Sequence, residues 1–309
     1  MTAPAVDPTA RRAPRRAAQE AASGPGKTRS KFPWFALPAT VWVLAIFAVP
    51  TTILLADSFL SYDGASLTGS LTSANYTGLF GDAYFRSVLW DTVWMSVTVG
   101  GVCTAAGLLV AHFLVRSASR LRALVLLVVV SPLVSSVVVR TYGWLVLLQD
   151  DGLLNKVLLS TGLTHTPVSF IGSPLAVILG LVHVLLPFAV FTQMSSLQGV
   201  DPALERASRD LGAGPVTTFF RITLPLIRPG VTAGFMLTFA ISLGSYAAAA
   251  VLGGGRVETL ATLVRSRMVV SLQWGQAAAI SVVILVIGAV AVTLLLLLGR
   301  RTRVGKGVA

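Results

Sequence analysis

The sequence predicts an all-α, polytopic membrane protein of six transmembrane helices, and three observations lead there. Hydrophobic residues fill 54% of the 309 positions and charged residues only 12%, at a mean hydropathy of +0.80, a balance that excludes a soluble globular domain. Six apolar stretches each reach the roughly 20 residues that a bilayer core demands of a helix, or nearly so: Trp34 to Leu55, Val88 to Val115, Ala123 to Val139, Pro174 to Ser195, Val231 to Leu252 and Ala277 to Leu298. The basic residues are then concentrated in one set of the segments that flank and connect these stretches.

The net charge of +12 would suggest nucleic acid in a soluble chain, so its distribution decides its meaning. Arg11, Arg12, Arg15, Arg16, Lys27, Arg29 and Lys31 precede the first stretch, and Arg116, Arg120 and Arg122 separate the second from the third. Arg206, Arg209, Arg221 and Arg228 follow the fourth, and Arg300, Arg301, Arg303 and Lys306 close the chain. These are 18 of the 24 basic residues; Arg86, Arg140, Lys156, Arg256, Arg265 and Arg267 fall on the other side. The positive-inside rule therefore puts both termini and the connector 201–229 in the cytoplasm. Orientation accounts for the charge, and no nucleic-acid partner is expected.

Residues 1–31 are rich in Ala, Arg, Pro and Gly without apolar periodicity, so a disordered, basic cytoplasmic tail is expected. Gly24-Pro25-Gly26-Lys27-Thr28 ends like a phosphate-binding loop, but Ala21 stands where its first glycine belongs and no strand precedes it. The chain itself is not expected to bind ATP. The first apolar stretch exceeds the short core of a cleavable signal peptide, so residues 32–87 read as an uncleaved transmembrane helix with its external loop. Residues 88–299 read as the transmembrane core and 300–309 as a cytoplasmic tail.

Within the core, ionisable groups at membrane depth carry the most information, because a charge at mid-bilayer costs about 2.5–3.5 kcal/mol. Asp91 lies near the outer end of the second span, Arg140 at the outer end of the third and His183 near the middle of the fourth. Asp91 and His183 either line a polar translocation path, or Asp91 sits with Arg140 at headgroup level and His183 is neutral and hydrogen-bonded between helices. Asp150-Asp151-Gly152 is a turn, after which Leu153, Leu154, Val157 and Leu158 recur at helical spacing in an external segment along the membrane interface. In the fifth span Gly230-x-x-x-Gly234 points to close helix packing. Ser242, Gly244, Ser245 and Ala247 to Ala250 serve either packing or a lumen-facing wall, and Ser242 and Ser245 join Asp91 and His183 as candidate path residues.

The connector 201–229 breaks from membrane hydropathy into DPALERASRDLGAGPVTTFFRITLPLIRP. Asp201 can cap a helix whose first residue is Pro202, and Gly212 stops it. Leu204, Ala207, Ser208 and Leu211 form one mostly small and apolar stripe, opposite the i,i+4 pairs Glu205 with Arg209 and Arg206 with Asp210. A second short helix is expected from Pro215 to Pro225. A short helix with small side chains beside a rim of charge suits a groove on another protein.

The loop also resembles the docking loop of binding-protein-dependent ABC importer permeases. Their signature is E-A-A, three residues, G, nine residues and I-x-L-P; here Gly212 is followed after nine residues by Ile222-Thr223-Leu224-Pro225. Arg206-Ala207-Ser208 fills the E-A-A positions, with Glu205 one place early. Ser131-Pro132 through Arg140-Thr141-Tyr142-Gly143-Trp144, Leu185-Leu186-Pro187-Phe188, and Gly253-Gly254-Gly255-Arg256 with Leu260-Ala261-Thr262-Leu263 resemble the subgroup that imports spermidine and putrescine. Related subgroups move ferric iron, thiamine, opines or phosphonates. The resemblance implies a type I ABC importer permease fold in a bacterial cytoplasmic membrane. It also implies a second permease, two ATPase subunits docked through Leu204, Glu205, Arg206, Ala207, Ser208, Leu211 and Gly212, and an external solute-binding protein.

Competing classes lack their signatures. Cys103 is the lone cysteine, and His112, His165 and His183 are scattered, which excludes a multi-thiolate metal site and offers no catalytic constellation. No cofactor or enzymatic activity is expected. A secondary transporter would show intramembrane acids for ion coupling and often an inverted repeat; Asp91 stands by itself and no repeat is evident.

Overall fold

The structure, a computed structural model, describes residues 36–63 and 66–304. The expected tail over 1–31, its phosphate-loop look-alike and residues 305–309 lie outside them. The chain divides into two units, Met1–Thr52 and Ile53–Ala309. Helix α1 (Ala36–Ser58) is apolar along its length and carries Pro50. It is followed by an antiparallel hairpin, β1 (Leu60–Asp63) and β2 (Ser66–Leu71), and by α2 (Ala74–Gly81). The hairpin is held to α2 by Asn75, whose amide donates to the Ser58 and Leu60 carbonyls at 3.0 Å each. The sequence pattern does not announce these strands; they are short, and their composition carries no strong period-2 alternation.

The second and fourth apolar stretches form α3 (Ala83–Arg116) and α7 (Pro174–Gln198), and the sixth forms α13 (Trp274–Val304), which continues past the expected boundary at 299. Asp82 caps α3 by accepting from the Tyr84 amide at 2.9 Å, and Ser173 caps α7 ahead of Pro174. Among the described residues five helices are long and apolar enough to cross a membrane, or six if one bent pair counts as a span.

That pair corrects the third span. In place of one helix over Ala123 to Val139, α4 (Leu121–Val134) and α5 (Val137–Leu148) meet at Ser135 and Ser136, and the chain turns by 110° there. Pro132 lacks the N–H that would reach Val128, whose carbonyl instead accepts from the Ser131 hydroxyl at 2.9 Å. The Arg140 guanidinium donates to the Pro132 carbonyl, so the arginine weighed as a headgroup residue caps the broken helix. Helix α6 (Leu153–Ser160) follows the Asp150–Asp151 turn. It is tied down by the buried Asn155, which donates to the Gln149 and Val168 carbonyls and accepts from the Val168 amide.

The fifth span differs too. Helix α10 (Leu224–Leu243) continues α9 (Pro215–Thr218) through a π turn, Phe219–Thr223, so the whole run Pro215–Leu243 is helical. Pro225 does not end it, because the Leu224 N–H reaches back five residues to Phe219 and Pro225 then falls in a first turn that asks little of its missing donor. At the far end Gly244 stops α10, and α11 (Ala247–Leu252) is a separate helix. A glycine loop, α12 (Leu260–Arg265) and a π turn (Ser266–Val270) lead to α13.

Helices α3, α7 and α10 pack together at the centre, around Met95, Val99, Cys103, Leu181, Leu185 and Ala189. Small residues set the approach, as the Gly230-x-x-x-Gly234 pattern predicts. A methyl at Gly230 would lie 2.3 Å from Ser196 Cβ and one at Gly234 2.8 Å from Thr192 Oγ1.

Candidate functional site

The loop between α7 and α10 is built around α8 (Pro202–Asp210). The Asp201 carboxylate accepts from the Ala203 amide at 2.8 Å, and Pro202 holds the first helical position. Beyond Asp210 the chain closes with Leu211 N–H to Ala207 O (3.2 Å) and Gly212 N–H to Arg209 O (2.8 Å). Gly212 then adopts φ +86°, the left-handed stop that glycine takes without strain. Leu204, Ala207 and Leu211 are exposed, Leu211 at 89%. Ser208 leaves this stripe: it is half-buried and shares a hydrogen bond with the Thr218 hydroxyl at 3.1 Å.

Glu205 is the larger correction. It does not pair with Arg209 on a solvated rim; it is 5% exposed and points into the protein. Its Oε1 accepts from Arg116 Nη2 at 3.0 Å, from Arg116 Nε at 3.2 Å and from Thr223 Oγ1 at 3.1 Å. Arg116 Nη2 also reaches the Val200 carbonyl at 3.1 Å. An exposed i,i+4 pair contributes about 0.3–0.5 kcal/mol, whereas a poorly solvated guanidinium left without its anion costs several. The need of the guanidinium for an anion outweighs the exposed pair, and Glu205 turns to Arg116. Among the described residues no ion pair joins Arg206 to Asp210 either, and both arginines of the helix are exposed. Arg206 and Arg209 border a cleft of about 400 Å³ that His112, Arg116, Glu205 and Phe219 also line.

The candidate path residues are not gathered into one cluster; among the described residues no hydrogen bond, ion pair or ring contact links them. Asp91 is exposed and accepts from the Trp94 indole N–H at 3.2 Å. His183 is exposed, and its ring meets Trp144 edge-on at 5.7 Å. Ser242 is buried, its hydroxyl without a hydrogen-bond partner among the described residues. Ser245 is half-buried in the break after α10, beside Tyr246, over whose ring Arg265 lies at 5.8 Å. Just past α5, before α7 and in the glycine loop, Gln149, Asp150, Gly172, Gly254 and Arg256 border a second cleft of about 300 Å³.

Three polar groups escape a reading of the sequence. Arg116 counts there only toward orientation, though its place at the last turn of α3 marks it as a candidate partner for the loop. Thr223, inside the I-x-L-P motif, gives no signal. Gln193 is fully buried on α7 and donates to the Thr104 carbonyl of α3 at 3.1 Å; an amide within an apolar run is the available clue.

Apolar helices packed through glycines, with a capped amphipathic helix on a connector between two of them, define a polytopic membrane protein. Residues 103–304 match the family of binding-protein-dependent transport system inner membrane components. Among curated relatives, the spermidine/putrescine transport system permease protein PotB of Haemophilus influenzae is 34% identical over 242 residues, 78% of this chain and 84% of that protein. PotB of Escherichia coli is 32% identical over 247 residues, 80% of this chain and 90% of that protein. A bacterial alginate ABC transporter, solved with a periplasmic protein bound to an alginate pentasaccharide, is similar in fold. Its matching chain gives a TM-score of 0.72 at 19% identity, covering 86% of this chain and 93% of that one. The chain belongs to the binding-protein-dependent transport system inner membrane component family and is a multi-pass permease subunit of an ABC importer.

Proposed function

We propose that this permease forms part of the translocation path for spermidine or putrescine. An external binding protein delivers the solute, and ATP hydrolysis in a separate, docked ATPase drives its import. The observation that carries the coupling role is the exposed stripe Leu204, Ala207 and Leu211 on a rigidly capped helix anchored between α7 and α10. Closure of the ATPase dimer would move α8 as a body and the packed helices with it. The substrate reading is supported by the PotB relatives, which match about four fifths of the chain. In this reading a second permease completes the path, both termini and α8 lie in the cytoplasm, and Asp91, His183, Ser242 and Ser245 face the solute.

Ala207→Arg tests the docking face, since it puts a long cation into the stripe without touching the membrane core. Binding-protein-stimulated ATP hydrolysis and spermidine uptake in vesicles should both fall at least about tenfold, a loss of roughly 1.4 kcal/mol or more of coupling. Wild-type rates would remove α8 from the docking role. His183→Leu should lower uptake with ATPase assembly intact; unchanged uptake kinetics would take His183 off the path. Stimulation by a different solute and none by spermidine or putrescine would overturn the substrate and leave the machine standing.

A further inference from the structure

The docking helix carries its carboxylate one position before the family's glutamate, and the structure shows where that carboxylate goes. The Glu205 side chain is 7% exposed, and its Oε1 is engaged by three donors. Those donors come from two other elements: Arg116 ends α3, and Thr223 ends the π turn that opens α10. One carboxylate therefore joins the docking helix to two of the three central helices. Asp201 is occupied as the helix cap. Outside this arrangement, the exposed charges of the loop 201–229 are Arg206, Arg209, Arg221 and Arg228 against Asp210.

We infer that Glu205 is a positioning residue that fixes the docking helix to the membrane domain. The charge this helix offers the ATPase is then positive, carried by Arg206 and Arg209 toward a carboxylate in the partner's groove. The inference rests on the docking role proposed for α8 and adds which charges face which way. Burial of Glu205 and its short contacts leave little of it for a partner, whereas both arginines are exposed and make no ion pair among the described residues. A compact rigid link also suits transmission. A push on α8 reaches α3 and α10 through a bonded contact that need not slide.

The test uses the complete importer, with its ATPase, permeases and binding protein, in vesicles. Glu205→Gln and Arg116→Gln each break the link, and transport per ATP hydrolysed should fall about tenfold, as expected for removing one partner of a poorly solvated ion pair, while the ATPase stays bound. The exchange of the pair, Glu205→Arg with Arg116→Glu, should recover transport per ATP to within about threefold of wild type, a return that no merely structural loss gives. Thr223→Val removes one hydrogen bond and no charge; it should lower the same ratio about threefold and keeps the test open if a charge variant fails to fold. In the second arm, Arg206→Glu with Arg209→Glu should weaken ATPase association more than about tenfold, and most at low salt, where repulsion is least screened.

Release of the ATPase by Glu205→Gln but not by Arg116→Gln, or an exchange that recovers nothing, would overturn the internal role. Unchanged association on reversing the two arginines would overturn the acidic groove. If Ala207→Arg releases the ATPase while the exchange fails, only this inference falls. If Ala207→Arg has no effect, the docking role itself falls.

Discussion

Gly230→Ala probes the contact on which the central packing depends. A methyl there would lie 2.3 Å from Ser196 Cβ and 2.9 Å from both Ser196 Oγ and the Thr192 carbonyl oxygen. Carbon atoms settle at about 3.5–4.0 Å, so α7 and α10 must part by roughly 1 Å or more. The serine hydroxyl can rotate away, but Ser196 Cβ and the Thr192 carbonyl are fixed to the backbone of α7. Overpacking of this kind costs about 1–3 kcal/mol, against about 0.5–1 kcal/mol gained when alanine replaces glycine inside a helix. The net loss should lower the melting temperature of the purified complex by a few degrees, at about 2–4 °C per kcal/mol. Reaction of the fully buried Cys103 with a thiol dye is a suitable readout of that melting. Gly101→Ala is the control: a methyl there meets nothing within 4 Å, so it should be neutral or stabilising. Ser196→Gly, added to Gly230→Ala, should recover part of the loss, because the Thr192 carbonyl still obstructs. A Gly230→Ala complex that melts with or above wild type would refute the close-packing argument.

Asn155→Ala strands two carbonyls and an amide around α6 and should cost about 2–3 kcal/mol locally; limited proteolysis should then cut between Gln149 and Val168, and an unchanged digest would count against it. Cys103 should resist maleimide in the folded protein and react on unfolding, since it is 0% exposed; rapid labelling of native protein contradicts its placement. In a Cys103→Ala background, single cysteines at Ser208 and Thr302 should be protected from impermeant reagents in intact cells while one at Ser160 reacts. Labelling of Ser208 from outside would invert the topology drawn from the basic residues.

Much of the permease is legible in its composition, for a reason specific to bilayers. Backbone groups in hydrocarbon must be satisfied within a helix, so apolar length alone marks α3, α7 and α13, and caps such as Asp201 and Gly212 follow from local chemistry. The spacing Gly230-x-x-x-Gly234 likewise announces a close approach, though not the residues Ser196 and Thr192 that it meets.

Hydropathy is blind to direction within an apolar run. It counts Ala123 to Val139 as one span, while Pro132, the Ser131 hydroxyl and Arg140 together allow a sharp break there. It also merges α10 with α11 across Gly244. Helical spacing puts Glu205 on a solvated rim because an i,i+4 partner lies in the sequence. Only the folded chain brings Arg116, 89 residues away, to the same point. By itself the sequence determined the apolar spans and the capped helix of the connector, since both follow from local composition and capping, while the class of machine was read from the resemblance of Gly212 and Ile222-Thr223-Leu224-Pro225 to a family motif. Tertiary structure decided which side of that helix is inward and which charges it has left to offer, because burial makes a distant ion partner worth more than a near one in water.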